Sequence, residues 1–328
     1  MRYNCYEEER IIIMEVIRVK NFTKDYGFNR GVFDANFDIR KGEVYGFLGP
    51  NGAGKTTTIR HLMGFSKPDS GSTQIMGLDS FEHRSKILKS VGYIPGELAL
   101  PSGLTGFEFI SMMKKMRNVN DDSRINHLIQ LFELDASGDT KRMSFGNKRK
   151  LAIIVAFMHD PEILILDEPT SGLDPVMQEK FIEFIKNEKA RGKTILLSSH
   201  IFSEVEALCD RVSIIKHGHI VDEFPMSKLK HNENKTYVFR FENKTDAKDA
   251  FDKLSKSTQY QVESIEECQL KVNVHDTNIN GLLSELEGLK VIDFEYNRLT
   301  LESYFMTYYH DEIKFGGIQK GVKSPLRN

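Results

Sequence analysis

The stretch VYGFLGPNGAGKTT, Val44 to Thr57, decides how this chain folds. Its first five residues form an apolar run ending at Leu48, which predicts a buried strand. Its second part, Gly49 to Thr56, fits the pattern GxxxxGK[ST]. A backbone that curls around phosphate oxygens must aim successive N–H groups inward. Glycine tolerates the dihedrals this demands. Lys55 can reach the outer phosphates, the Thr56 hydroxyl can ligate Mg²⁺, and the helix expected over Thr56–Met63 turns its N-terminus toward the anion. Gly64 supplies the stop. The bland alternative is a glycine turn that happens to precede a helix. With glycine at about 7% of residues, a chance match in a chain of this length is roughly one in a hundred.

Working outward, a second decisive segment is Ile163-Leu-Ile-Leu-Asp-Glu168, four aliphatic residues ending in two acids. Asp167 at a strand tip can hold Mg²⁺. Glu168 beside it can polarise an attacking water as a general base. By itself such a segment is as often a buried strand ending in a polar turn; the upstream phosphate loop tips the balance. Thr194–Ser198 and Arg211–Lys216 are two further apolar strands. Residues 15–220 thus alternate strands with helical stretches, the pattern of an α/β domain with a largely parallel sheet. Between the strands, residues 97–160 are helix-rich, with apolar spacing of three and four over Phe107–Met116 and Ile125–Leu134. They are expected to form a helical insertion.

Composition limits the rest. The chain has 328 residues, 40% of them apolar, and a formal net charge of −2. That is length for one large domain and a smaller one, with no bulk attraction to nucleic acid or anionic lipid. Three cysteines stand far apart without a CxxC pair, which argues against a disulfide framework or zinc site. The longest wholly apolar run, Leu151–Met158, is too short to span a bilayer, which takes about 20 residues. Glu7, Glu8, Glu9 and Arg10 stand where a secretory signal would be apolar. A soluble intracellular protein without direct membrane insertion is expected.

The expected domains are an N-terminal extension over 1–13, the α/β domain over 14–224, an accessory α+β domain over 225–314 and a disordered tail over 315–328. A linker is expected near Phe224–Glu233. Beyond it, alternation at Tyr237, Phe239 and Phe241, helical spacing over Asp246–Leu254 and Ile279–Leu289, and strands at Gln261–Glu266, Leu270–Val274 and Val291–Tyr296 give the order β-α-β-β-α-β of a split βαβ sandwich. A short aromatic helix is expected over Leu301–Tyr309.

With these motifs in this order, residues 15–220 resemble the nucleotide-binding subunit of an ABC transporter. The resemblance implies a P-loop NTPase core and two subunits, identical or paralogous, sandwiching two ATP molecules head to tail. Gly49, Asn51, Gly52, Ala53, Gly54, Lys55, Thr56 and Thr57 would bind the nucleotide, and Thr56 and Asp167 its Mg²⁺. Ser144-Phe-Gly-Asn147 resembles the family signature Ser-Gly-Gly-Gln, so Ser144 and Gly146 would contact the γ-phosphate of the opposite subunit. Phe145 and Asn147 depart from that signature. Ser171-Gly-Leu-Asp174 resembles the loop that places Asp174 at the dimer contact. His200 matches the switch histidine, catalytic together with Glu168 and Lys55, and Tyr26 matches an aromatic ring stacked on adenine. After Val91-Gly-Tyr-Ile-Pro95 the family commonly has a metal-ligating Gln, where this chain has Gly96 and then Glu97; either Glu97 substitutes or water fills the position. The stretch Leu98–Phe109 would face the membrane partner.

The resemblance also implies a function: an ATPase subunit, peripheral at the cytoplasmic face of the membrane, driving a separate permease. The ending TLESYFMTYY, Thr300–Tyr309, resembles that of exporter ATPases. The alternatives are an ABC ATPase acting on ribosomes or nucleic acid, disfavoured by the single motif set and near-neutral charge, and a regulatory binder that has lost catalysis, disfavoured by Lys55, Asp167, Glu168 and His200. No nucleic-acid partner is expected.

Overall fold

A computed structural model describes residues 14–230, 234–297 and 300–308. The expected N-terminal extension and tail lie outside the described residues. Two compact units divide at Met226 and Ser227.

In the first unit, Val44–Leu48 is a strand buried along its length that runs through the glycine loop into the helix Lys55–Leu62. Ile163–Asp167 and Thr194–Ser199 are buried throughout as well, as central parallel strands covered on both faces must be. Six strands lie in the order His219–Pro225, Arg211–Lys216, Val44–Leu48, Thr194–Ser199, Ile163–Asp167, Val91–Ile94. All neighbours pair in parallel except His219–Pro225, which closes one edge antiparallel. Leu48 pairs with Ser199 and Asp167 with Ser198. This register brings the glycine loop, the two acids and His200 to the same end of the sheet.

The expectation of a largely parallel sheet omits a second layer. Glu15–Asp25 pairs antiparallel with both Gly31–Arg40 and Ser70–Ile75, and Leu78–Asp79 continues that sheet. Half-buried alternation along Gly31–Arg40 marks a strand with one wet face. The partnership of Val19 with Thr73 joins distant segments and has no local signal. Phe22, Phe37, Phe47, Ile59 and Leu62 fill the core on the buried face of this sheet.

The helical insertion holds Gly106–Met116, Ser123–Leu131 and Phe145–Phe157. Thr105 and Glu108 form a reciprocal capping box at the first. Phe184, from the helix Pro175–Ala190, meets Phe132 and Phe157 edge-on at centroid distances of 5.5 and 4.9 Å. Such pairs add about 0.5–1.5 kcal/mol each beyond area burial and fasten the insertion to the sheet domain.

The described part of the segment expected as a linker holds regular structure, and residues 231–233 lie outside the described residues. Phe224 pairs with Val212 inside the edge strand, and Ser227–Lys230 is a short helix with Leu229 buried. Pro225 sits at the strand's last position, where a missing N–H costs least.

The second unit has the order β-α-β-β-α-β that the pattern predicts. Its strands lie as Tyr260–Glu266, Gln269–His275, Asn234–Phe241, Val291–Asn297, all antiparallel. Lys244–Leu254 and Ile279–Glu285 are its two helices. Phe239, Phe241, Ala247, Leu254, Leu270, Val272 and Leu282 form its core. Leu301–Met306 follows as a helix shorter than expected. Among the described residues, no helix is long and apolar enough to cross a membrane.

Candidate functional site

Gly54 has φ +115° and opens the helix Lys55–Leu62. A Cβ there would meet Val32 Cγ2 at 2.8 Å and Ile215 Cδ1 at 3.0 Å. Dihedral and space both exclude a side chain. At Gly49 the exclusion is purely steric, since a Cβ would stand 2.5 Å from the Ile215 carbonyl oxygen. The Ala53 amide donates to Pro50 and the Ala53 carbonyl accepts from Gly218, which closes the loop and ties it to the edge hairpin. Asn51 and Gly52 are exposed at the tip, Thr56 is exposed at the helix start and Thr57 is half-buried.

Lys55 is buried. Its Nζ donates to the carbonyls of Gly49 (2.6 Å) and Pro50 (3.3 Å) and lies 3.2 Å from Glu168 Oε1. Thr56 Oγ1 donates to Asp167 Oδ2 at 2.8 Å, and Ser198 Oγ donates to the other Asp167 oxygen. Asp167 is wholly buried, so these hydroxyls satisfy a carboxylate that would otherwise be costly there. Glu168 has φ +50° and an amide bonded to the Ser198 carbonyl. That left-handed backbone costs of order 1–3 kcal/mol in a non-glycine residue, and such strain gathers at functional sites. Glu168 Oε2 lies 2.6 Å from Nδ1 of the exposed His200. Lys55, Thr56, Asp167, Glu168 and His200 therefore form one contiguous constellation. Thr56 and Asp167 offer hydroxyl and carboxylate oxygens, the donor set a hard cation takes.

Behind this constellation, Ser199 Oγ donates to Glu204 Oε2 at 2.6 Å. Burial pushes the Glu204 carboxyl up to about 7, and the charge of Glu168 adds to the shift, against the hydrogen bonds from Ser199 and Thr170. Burial first and the Asp167 charge second hold the Tyr93 phenol well above its ordinary range.

Ser144, Gly146 and Asp174 form a separate group. Ser144 Oγ accepts from Asn147 N and caps the helix Phe145–Phe157. A Cβ on Gly146 would stand 3.1 Å from the Gly172 carbonyl oxygen. Asp174 Oδ1 accepts from Met177 N and caps the helix Pro175–Ala190. Among the described residues, no hydrogen bond or ion pair joins these three to Lys55, Thr56, Asp167, Glu168 or His200. Tyr26 is half-exposed, with Lys24 Nζ 5.7 Å from its ring centroid. Its turn leads to Gly31, whose carbonyl oxygen lies 3.3 Å from where a Gly54 Cβ would be.

Glu97 is exposed, and no hydrogen bond or ion pair joins it to Thr56 or Asp167. At Gly96 a Cβ would stand 2.9 Å from Asp167 Oδ2. The departure from the family's Gln thus coincides with a backbone pressed against the carboxylate. Two residues here escape the sequence reading. Ser198 bonds Asp167 from the end of an otherwise apolar strand, and the run Ser198-Ser199-His200 is its only signal. Arg149 sits wholly buried in the helix after Ser144, and no local pattern marks it.

A model of the ABC transporter family matches residues 32–171. The chain is 34% identical over 299 residues to the bacitracin transport ATP-binding protein BcrA of Bacillus licheniformis, covering 89% of this chain and 96% of that one. It is 35% identical over 212 residues to the Nod factor export ATP-binding protein I of Burkholderia orbicola, covering 63% and 70%. Among solved structures, an ATP-binding subunit of an ABC transporter superposes with a TM-score of 0.61 at 29% identity, covering 66% of this chain and 92% of that one.

Proposed function

The chain belongs to the ATP-binding subunits of the ABC transporter family and is an ATPase, and from that premise we propose that it powers an exporter through a separate permease. The observation that carries the reading is the Thr56–Asp167 hydrogen bond, 2.8 Å between residues 111 apart, with Lys55, Glu168 and His200 around it.

Loop N–H groups and Lys55 bind the phosphates, using oriented dipoles and one cation in a site of low dielectric. Glu168 takes the proton of the attacking water. His200, on the other oxygen of that carboxylate, orients it and senses the γ-phosphate. Thr56 and Asp167 hold Mg²⁺, which when bound neutralises charge on the phosphates. Tyr26 stacks on the base. Ser144, Gly146 and Asp174 serve the nucleotide of a second subunit, identical or paralogous; that no hydrogen bond or ion pair among the described residues joins them to Lys55 or Glu168 supports this division. The permease positions the protein at the cytoplasmic face of the membrane. The export protein named above and the ending Thr300–Tyr309 support the direction of transport.

Copurification tests the partner. A tagged full-length chain should bring down a membrane protein of about six spans and hydrolyse ATP faster with it. Recovery of ribosomes or DNA without any membrane protein would overturn the transport reading.

A further inference from the structure

Arg149 has no accessible surface, and arginine is almost never fully buried unless paired. Its described hydrogen bonds go to backbone carbonyls and not to carboxylates. Nη1 donates to Pro95 O at 2.8 Å, Nη2 to Gly96 O at 2.8 Å and Nε to Ser171 O at 3.1 Å. The Phe145 ring lies 5.6 Å from the guanidinium. That ring also covers Gly172, where a Cβ would fall 2.0 Å from Phe145 Cδ1. Burial lowers the Arg149 pKa, while the charges of Asp167 and Glu168 favour the charged form.

These contacts gather three segments that the site uses. Pro95–Gly96 is the backbone pressed against Asp167. The Ser171 amide donates to the Glu168 carbonyl at 3.2 Å. Arg149 and Phe145 belong to the helix capped by Ser144. A guanidinium presents five donors in one rigid plane, whereas a lysine ammonium presents three around a point. The rigid fork suits carbonyls of two separate loops, each met by its own N–H.

We infer that Arg149 is a positioning residue of the ATPase site. It holds the Pro95–Gly96 backbone beside Asp167 and the Ser171 backbone beside Glu168, and keys both loops to the turn Ser144–Asn147. Phe145, where the family signature has glycine, closes this junction by packing on Gly172. The inference rests on the ATPase reading above. Under that reading the turn acts on the partner's nucleotide and the two loops on the subunit's own, so Arg149 links the halves of the composite site.

The test compares Arg149→Met and Arg149→Lys in the full-length protein, measuring the unfolding midpoint, ATP affinity by calorimetry, and kcat and KM with Mg²⁺ in excess. Turnover by the unaltered protein comes first; its absence would sink the ATPase reading without involving Arg149. Both variants should fold. Arg149→Met should lose about 10- to 100-fold in kcat, the scale of a misplacement near 1 Å, with ATP affinity within about threefold of the unaltered protein. Arg149→Lys, which keeps the charge and part of the bonding, should lose less. A folded Arg149→Met within about twofold of full kcat would overturn the inference. So would a kcat loss matched by an equal loss of ATP affinity, or the unfolding of both variants, which would make Arg149 a strut of the core.

Discussion

Replacing Glu168 by Gln keeps the side chain's shape while removing one charge and one proton acceptor. Oε1 lies 3.2 Å from Lys55 Nζ and Oε2 lies 2.6 Å from His200 Nδ1. A glutamine satisfies both positions in one orientation, with its carbonyl oxygen toward the ammonium and its NH₂ toward a neutral imidazole nitrogen. The side chain therefore stays in place, and the loss falls on proton transfer alone. A positioned general base contributes about 10²–10⁴-fold. At 1.36 kcal/mol per decade this is about 3–5 kcal/mol of barrier. Because Lys55 keeps its two carbonyl contacts and loses a competing anion, ATP affinity should hold within about threefold. Steady-state kinetics with Mg²⁺ in excess, calorimetry with ATP, and size-exclusion chromatography with and without ATP measure the three consequences. Turnover falls, binding persists and an ATP-bound dimer accumulates. Turnover within about threefold of the unaltered protein would refute the base assignment.

Lys55→Ala removes a charged donor, and a hydrogen bond to a charged group contributes about 1.5–3 kcal/mol; ATP affinity should fall at least tenfold by calorimetry, and unchanged affinity would count against the phosphate loop. Gly96→Ala places a methyl 2.9 Å from an Asp167 oxygen that Thr56 holds at 2.8 Å; the Mg²⁺ needed for half-maximal turnover should rise several-fold, and an unshifted titration would show that the loop yields freely. Glu204→Gln tests the raised carboxyl. The folded pKa of about 7 lies above the ordinary 4.5, so the folded state binds the proton more tightly and stability falls as pH rises through that window. The variant cannot ionise. Urea unfolding should show it more stable than the unaltered protein by up to about 3 kcal/mol near pH 8 and by nothing near pH 4; equal gains at both would place the effect elsewhere.

Much of the site was legible because its residues obey local rules. The glycines at 49 and 54, the lysine and the threonine follow from the spacing of a tight loop that opens a helix, and Asp167 and Glu168 from an apolar strand that ends in charge. The second unit was equally readable, since alternation at Tyr237–Phe241 and helical spacing after it are short-range signals. Legibility failed where the cause lay across the fold. The antiparallel layer depends on Glu15–Asp25 finding Ser70–Ile75. At the start of the segment expected as a linker, Phe224 and Pro225 end an edge strand, because Phe224 has a buried place opposite Val212.

The chain's letters alone determine that a glycine loop opens a helix, that two acids end a buried strand, and that two units follow one another. Short-range sterics and periodicity set these features, so they survive in one dimension. Tertiary structure alone decides that Ser198 shares Asp167 with Thr56, that Gly96 stands against that carboxylate, and that Arg149 is drawn inside to bind three carbonyls. Each depends on strand register and on which segments pack together. The site's composition is thus written locally, while its geometry is a property of the packed whole.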